Sequence, residues 1–205
     1  SAVFYYFRCI NAEMDILSKQ ALRAKSLFYN DLQDNVESLL DEKSRNKWQK
    51  EINLEDIYWT SQIPDHYGEQ QLEYKETGEL YSLEKTVTDH LSKAKKGLSN
   101  LLKSINTLVK EFSKQDALKK NKDWKSKVVE KVKELEAVCA EINHTTEQVL
   151  YFNKEAEWML SRYPNRTYEN IEGLCKIVDR AEIADNDYIL TPGRYVGVED
   201  QIDHN

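Results

Sequence analysis

Two runs of apolar residues, each stepping by three and four positions, limit what this chain can fold into. The first is Leu83, Val87, Leu91, Ala94, Leu98, Leu101, Ile105, Leu108 and Phe112. The second is Val128, Val132, Leu135, Cys139, Ile142, Thr146, Val149, Asn153, Ala156 and Leu160. Alternating steps of three and four hold side chains on one narrow seam of a helix, as in bundles and coiled coils. A lone helix is marginal in water, so each seam needs a partner, and the nearest is the other. The spacing therefore predicts a mainly α protein built on a long antiparallel, coiled-coil-like helical hairpin. At ~1.5 Å per residue each arm is roughly 50 Å long. Thr146 and Asn153 interrupt the second seam, where polar residues usually set register.

The 205-residue chain divides into three parts. Residues 1–80 hold an N-terminal strand, further helices and an aromatic-rich loop; 81–163 hold the hairpin; 164–205 form a small tail containing β structure. Val3-Phe4-Tyr5-Tyr6-Phe7 is rich in β-formers and predicts the strand. With no partner strand following, it suggests a sheet lying upstream. Asn11 is placed to cap the next helix, whose face is Met14, Leu17, Ala21, Ala24, Phe28, Leu32, Val36 and Leu39. A polar stretch from Asp41 to Lys50 follows, then a short helix from Asn53 to Trp59 that Pro64 ends. Trp48, Tyr58, Trp59, Tyr67, Tyr74 and Tyr81 cluster around this loop and are read as packing against the base of the hairpin. Ser82 and Asp123 are the expected caps of the two arms. In the tail, Gly173–Val178 suits a strand, and Asp179 with Glu182 forms a capping box over one helical turn. Residues 188–190 and 195–198 read as extended, with a turn at Thr191-Pro192-Gly193.

Charge is distributed unevenly. The chain carries −7 overall, yet between Lys93 and Lys133 thirteen Lys face four acids, a net +9. Lys114, Lys119, Lys120, Lys122, Lys125 and Lys127 crowd the connection between the arms and are the candidate DNA contacts. Arg, which makes the commonest base-specific contact, is missing from this zone, so such contacts would be to phosphate. No apolar run nears the ~18 residues that a membrane span requires. Cys9, Cys139 and Cys175 are widely spaced in apolar patterns and read as reduced thiols of a cytoplasmic protein.

No catalytic constellation stands out. The four His are isolated from each other and from the Cys, without metal-ligand spacing. There is no Gly-rich phosphate loop and no Gly-x-Ser-x-Gly elbow. Catalytic, cofactor-binding and metal residues are therefore all expected to be none.

The tail is the informative stretch. Arg162-Tyr163-Pro164 leads to Gly173-Leu174-Cys175-Lys176, then Glu182-Ile183. Asp187-Tyr188-Ile189-Leu190-Thr191-Pro192-Gly193-Arg194-Tyr195-Val196-Gly197-Val198 completes it. This closely resembles the C-terminal end of modification (M) subunits of type I restriction–modification systems, over roughly Trp158 to Val198. The resemblance implies a parent that is an S-adenosylmethionine-dependent DNA adenine N6-methyltransferase. Its partners would be a DNA-sequence specificity subunit and a restriction subunit. The Asn-Pro-Pro-aromatic motif that cradles the flipped adenine in that family is absent, since Pro64, Pro164 and Pro192 stand apart. The chain is thus expected to be a C-terminal fragment, neither catalytic nor binding cofactor by itself.

The leading expectation is an assembly region that docks on the specificity subunit, with Tyr188, Leu190, Pro192, Gly193, Arg194 and Tyr195 as candidate docking residues. The basic connection is the expected place of DNA contact. A free-standing coiled-coil interaction scaffold, able to self-associate, is the rival from another class. A nucleic-acid-binding module acting alone is the third.

Overall fold

A computed structural model of the chain describes residues 2–52, 77–163 and 168–197. Helix α1 (Ala2–Ser26) runs through a π-helical stretch, Leu27–Gln33, into α2 (Asp34–Leu39). Helix α3 spans Glu42–Glu51, α4 Thr77–Phe112 and the short α5 Asp116–Lys119. A second π-helical stretch, Trp124–Val129, leads into α6 (Glu130–Arg162). The tail holds α7 (Arg180–Asp185) and a 3-10 turn, Pro192–Arg194. No described helix is long and apolar enough to cross a membrane.

Helix α6 is the centre of the molecule. Lys95 donates to Glu147 and Asn106 to Glu136, each at 2.6 Å, so α4 lies beside α6 and runs the opposite way. Arg23 approaches Glu134 and Glu141, each at 3.9 Å, Asp31 approaches Lys131 at 4.0 Å, and the Tyr6 and Phe152 rings meet at 6.4 Å. Helix α1 therefore also runs antiparallel to α6, and its contact with α6 is the most extensive between any two helices. Two partners require a wider apolar stripe than one seam. Val138 and Thr145 supply it, buried beside Leu135, Cys139, Ile142 and Val149. Residues from α1 to α6 join in one apolar cluster, in which each fully buried Leu, Ile or Val stabilises by roughly 1.5–3 kcal/mol.

The expected strand at Val3–Phe7 is instead the beginning of α1. Phe7 and Ile10, both buried, prolong the stripe of Met14, Leu17, Ala21 and Ala24 by steps of three and four. Burial along a helical period overrides the β-propensity of the aromatic run, which in any case reflects packing more than backbone preference. Asn11 accordingly lies within the helix and caps nothing. Ser82 likewise falls inside α4, which starts at Thr77.

The two π-helical stretches coincide with runs of steps of four: Phe28, Leu32, Val36 and Leu40 in one, Trp124, Val128 and Val132 in the other. In a regular helix each step of four drifts about 40° around the axis. A wider turn absorbs that drift and keeps Phe28, Leu32, Trp124 and Val128 facing the core. The two stretches touch one another across the bundle.

Helix α3 closes this end. Asp41 caps it, accepting from the Ser44 amide at 2.8 Å, a bond that holds the Asp41 carboxyl below its ordinary pKa. Its Trp48 is buried. The Asn53–Trp59 helix, Pro64, Tyr67 and Tyr74 lie outside the described residues.

The expected β structure of the tail does not form among the described residues. Ile171 and Cys175 make one isolated antiparallel bridge, and the rest is turns and short helix. A strand needs a neighbour along its length, whereas left-handed backbone at Gly173, at Asp187 and Tyr188, and at Gly197 bends the chain at three places in the tail.

Candidate functional site

The tail is assembled by local hydrogen bonds and not by a core, since none of its described residues is buried. Asp179 caps α7 by accepting from the Glu182 amide at 2.9 Å. Only half of the expected capping box forms, because the Glu182 carboxylate pairs with Lys176. After α7 the chain turns through Asp187 and Tyr188, with φ of 56° and 57°. Left-handed backbone at a residue other than Gly costs on the order of 1–2 kcal/mol. The Tyr188 amide bonding Ile183 O at 2.9 Å and Asn186 Nδ2 bonding Glu182 O at 3.0 Å hold it in place. The outcome is outward presentation: Tyr188 is 74% exposed and Leu190 73%.

The next residues fold back on themselves. The Arg194 amide bonds Thr191 O, the Tyr195 amide bonds Pro192 O, and the Tyr195 hydroxyl donates to Ile189 O. Gly173 N donates to Val196 O at 2.7 Å and ties this turn to the Ile171–Cys175 bridge. Of the six candidate docking residues, Tyr188, Leu190, Pro192, Gly193 and Arg194 are exposed and Tyr195 is half-buried as the internal brace. Among the described residues Arg194 has no acidic partner, so its guanidinium is open to an anion or a carbonyl. Gly193 is not in left-handed conformation; Gly173 (φ 73°) and Gly197 (φ 77°) are. The requirement for Gly thus sits four residues beyond the Pro-Gly pair.

Tyr163, directly after α6, links the helices to the tail. Its hydroxyl lies 2.8 Å from Cys175 Sγ, and its ring stacks on Tyr168 at 6.2 Å. That hydrogen bond pulls the Cys175 thiol below its ordinary pKa and pushes the Tyr163 hydroxyl up to about 12. Both shifts follow if the phenol donates to sulfur. Cys139, enclosed in the core, is pushed up to about 12 by burial. All three cysteines are free thiols.

The second candidate surface is the basic end, around α5. Lys114, Lys119, Lys120, Lys122, Lys125 and Lys127 are all exposed there. Asn121, and not Asp123, caps the return helix: its Oδ1 accepts from the Asp123 and Trp124 amides at 2.9 and 3.1 Å. Asp123 is left to approach Lys127 at 3.5 Å. Trp124 is buried, donates through Nε1 to Ser113 Oγ at 2.9 Å, and meets Phe112 edge-on at 6.5 Å. Gln115 Nε2 donates to Ser44 Oγ at 2.9 Å and joins the connection to α3. This brings exposed Lys43 to the same end, a neighbour that no sequence spacing signalled.

By fold this is a helical module with an open tail at one end of its central helix and a lysine-rich turn at the other. A family model for N-6 DNA methylase matches residues 100–204, just over half of the chain, and the chain belongs to that family. The matched region runs from within α4 through the basic end, α6 and the tail. No curated protein and no solved structure matches the chain.

Proposed function

We propose that this chain is the C-terminal assembly region of the modification subunit of a type I restriction–modification system, and that its tail docks on the specificity subunit. The parent would be a DNA adenine N6-methyltransferase. Family membership supports the methylase connection, and the Leu190–Gly197 run supports the type I assignment. The observation that carries the docking role is the outward set of Tyr188, Leu190 and Arg194, held by backbone that is strained at Tyr188. Exposed aromatic and Arg side chains are the usual anchors of an interface, and strained backbone is retained where the surroundings or a function hold it.

In this reading the parent's S-adenosylmethionine is held by residues other than these, whose described part has no strand leading through a Gly-rich turn into a helix.

Gel filtration of the chain mixed with the cognate specificity subunit tests the reading. Co-elution is expected, and Tyr188→Ala with Leu190→Ala should weaken it at least tenfold. Absence of association for both this chain and the full-length parent would sink the proposal.

A further inference from the structure

We propose that the basic end, formed by the α4–α6 connection, is a sequence-nonspecific docking surface for the DNA backbone. The surface belongs to the helical module itself and is separate from the docking tail. Between residues 110 and 127 there are seven Lys and three acids. Two of those acids are occupied: Glu111 by Lys47 at 2.6 Å and Asp123 by Lys127 at 3.5 Å. Elsewhere in the basic zone, Lys95, Lys131 and Lys133 are matched by Glu147, Glu134 and Glu130. Among the described residues, Lys43, Lys110, Lys114, Lys119, Lys120, Lys122 and Lys125 have no acidic partner. Lys25, Lys50, Lys93, Lys96, Lys103 and Lys154 are likewise unpaired among the described residues, but they are spread along the helices, whereas six unpaired lysines fall within residues 110–125, and that density sets this end apart.

The surroundings decide between phosphate and an acidic protein. Among the described residues the large exposed apolar side chains are Tyr5, Ile16, Leu22, Tyr151, Trp158 and a group in the tail; none of them falls in α5 or the connection on either side of it. A protein interface wants apolar or aromatic anchors at its centre. A phosphate backbone wants only positive charge on a firm support. The support is firm: Trp124, Phe112 and Leu118 are buried beneath the turn, and the Trp124–Ser113 and Gln115–Ser44 bonds fasten it. Lys without Arg suits backbone attraction without base reading.

The test measures binding of the 205-residue chain to a labelled 30-base-pair duplex of arbitrary sequence by anisotropy between 50 and 200 mM salt. With about five phosphates neutralised, log K should fall with log salt at a slope of about −4.5, a loss of roughly 500-fold across that range. Substituting Lys114, Lys119, Lys120, Lys122 and Lys125 by Gln should flatten the slope and lower affinity at 50 mM salt at least 100-fold. The same number of exposed lysines removed elsewhere (Lys25, Lys50, Lys93, Lys96 and Lys154) should change affinity less than threefold. On the unmutated chain, acetylation footprinting should show duplex protecting Lys119, Lys120 and Lys122, which does not depend on how the variant folds. Absence of duplex binding at 50 mM salt, equal losses in the two variants, or preference for polyglutamate over duplex would each overturn the proposal. Association with the specificity subunit, read in the same preparations, should survive the five-lysine change, so failure here and failure of tail docking are distinguishable.

Discussion

Asn153 offers a sharp test of how the bundle is held. It occupies the face of α6 that also carries Val149, Ala156 and Leu160, all buried, and is itself only 3% exposed. Its Nδ2 finds no acceptor among the described residues. A buried donor left unmet costs about 1–3 kcal/mol, and a leucine, similarly branched but larger, would add apolar burial in its place, offset in part by the crowding of a bigger side chain. Allowing for partial burial in the unfolded chain and imperfect shape, Asn153→Leu should raise stability by about 2 kcal/mol. For a chain of this size that is a rise of about 4–8 °C in Tm. Thermal melts and urea titrations followed by circular dichroism measure it, with the urea slope unchanged if only native stability has moved. Asn153→Ala, which removes the amide but leaves a void, should gain much less. A lower Tm for Asn153→Leu would refute the reasoning and show the amide to be satisfied in the native protein. Gel filtration reads the register role separately: if Asn153 specifies pairing, the stabilised variant will populate additional oligomeric states.

Two further predictions concern the tail. Gly193→Ala should be tolerated, since an added Cβ meets nothing within 4 Å, whereas Gly197→Ala imposes a side chain at φ 77° and within 3.2 Å of Glu172. The left-handed strain is about 1–2 kcal/mol, so amide exchange at Gly173, bonded to Val196 O, should quicken only in Gly197→Ala. Equal exchange in both variants would contradict this. Alkylation should discriminate between thiols: Cys175, below its ordinary pKa through Tyr163, holds more reactive thiolate at pH 8 than Cys139, which is at about 12 and buried. Tyr163→Phe removes the donor, returns Cys175 toward a higher pKa and should slow its alkylation at pH 8. Mass spectrometry of iodoacetamide adducts checks this, and faster labelling in Tyr163→Phe would overturn the assigned bond direction.

The helical character, the seam residues and the tail motif were legible in the sequence because they depend on local spacing. Leu91 to Phe112 and Val128 to Leu160 are buried along the periods read from their numbering. The π-helical stretches carry a local signal of their own: successive steps of four at Phe28–Leu40 and Trp124–Val132. The Val3–Phe7 run has β-propensity yet is helical, because its apolar period continues through Ile10 and Met14 into the core of α1. Lys43 joined the basic end without any local signal, through a Ser44–Gln115 bond that spans 71 positions. The exposure of Tyr188 was equally hidden, because left-handed backbone at a non-Gly residue is imposed by neighbouring hydrogen bonds and not by composition.

Periodicity and composition alone thus settle that this chain is helical and that its cations gather between residues 93 and 133. They follow from properties each residue carries wherever it is placed. Which helices pair along α6, which lysines stay unneutralised and which tail side chains face outward are decided only in three dimensions. Burial and ion pairing depend on distances between residues far apart in the chain, and helix spacing does not encode those. The antiparallel seat of α1 on α6 is the clearest case: it turns an apparent two-helix arm into a shared core, with the lysine-rich turn and the open tail at its two ends.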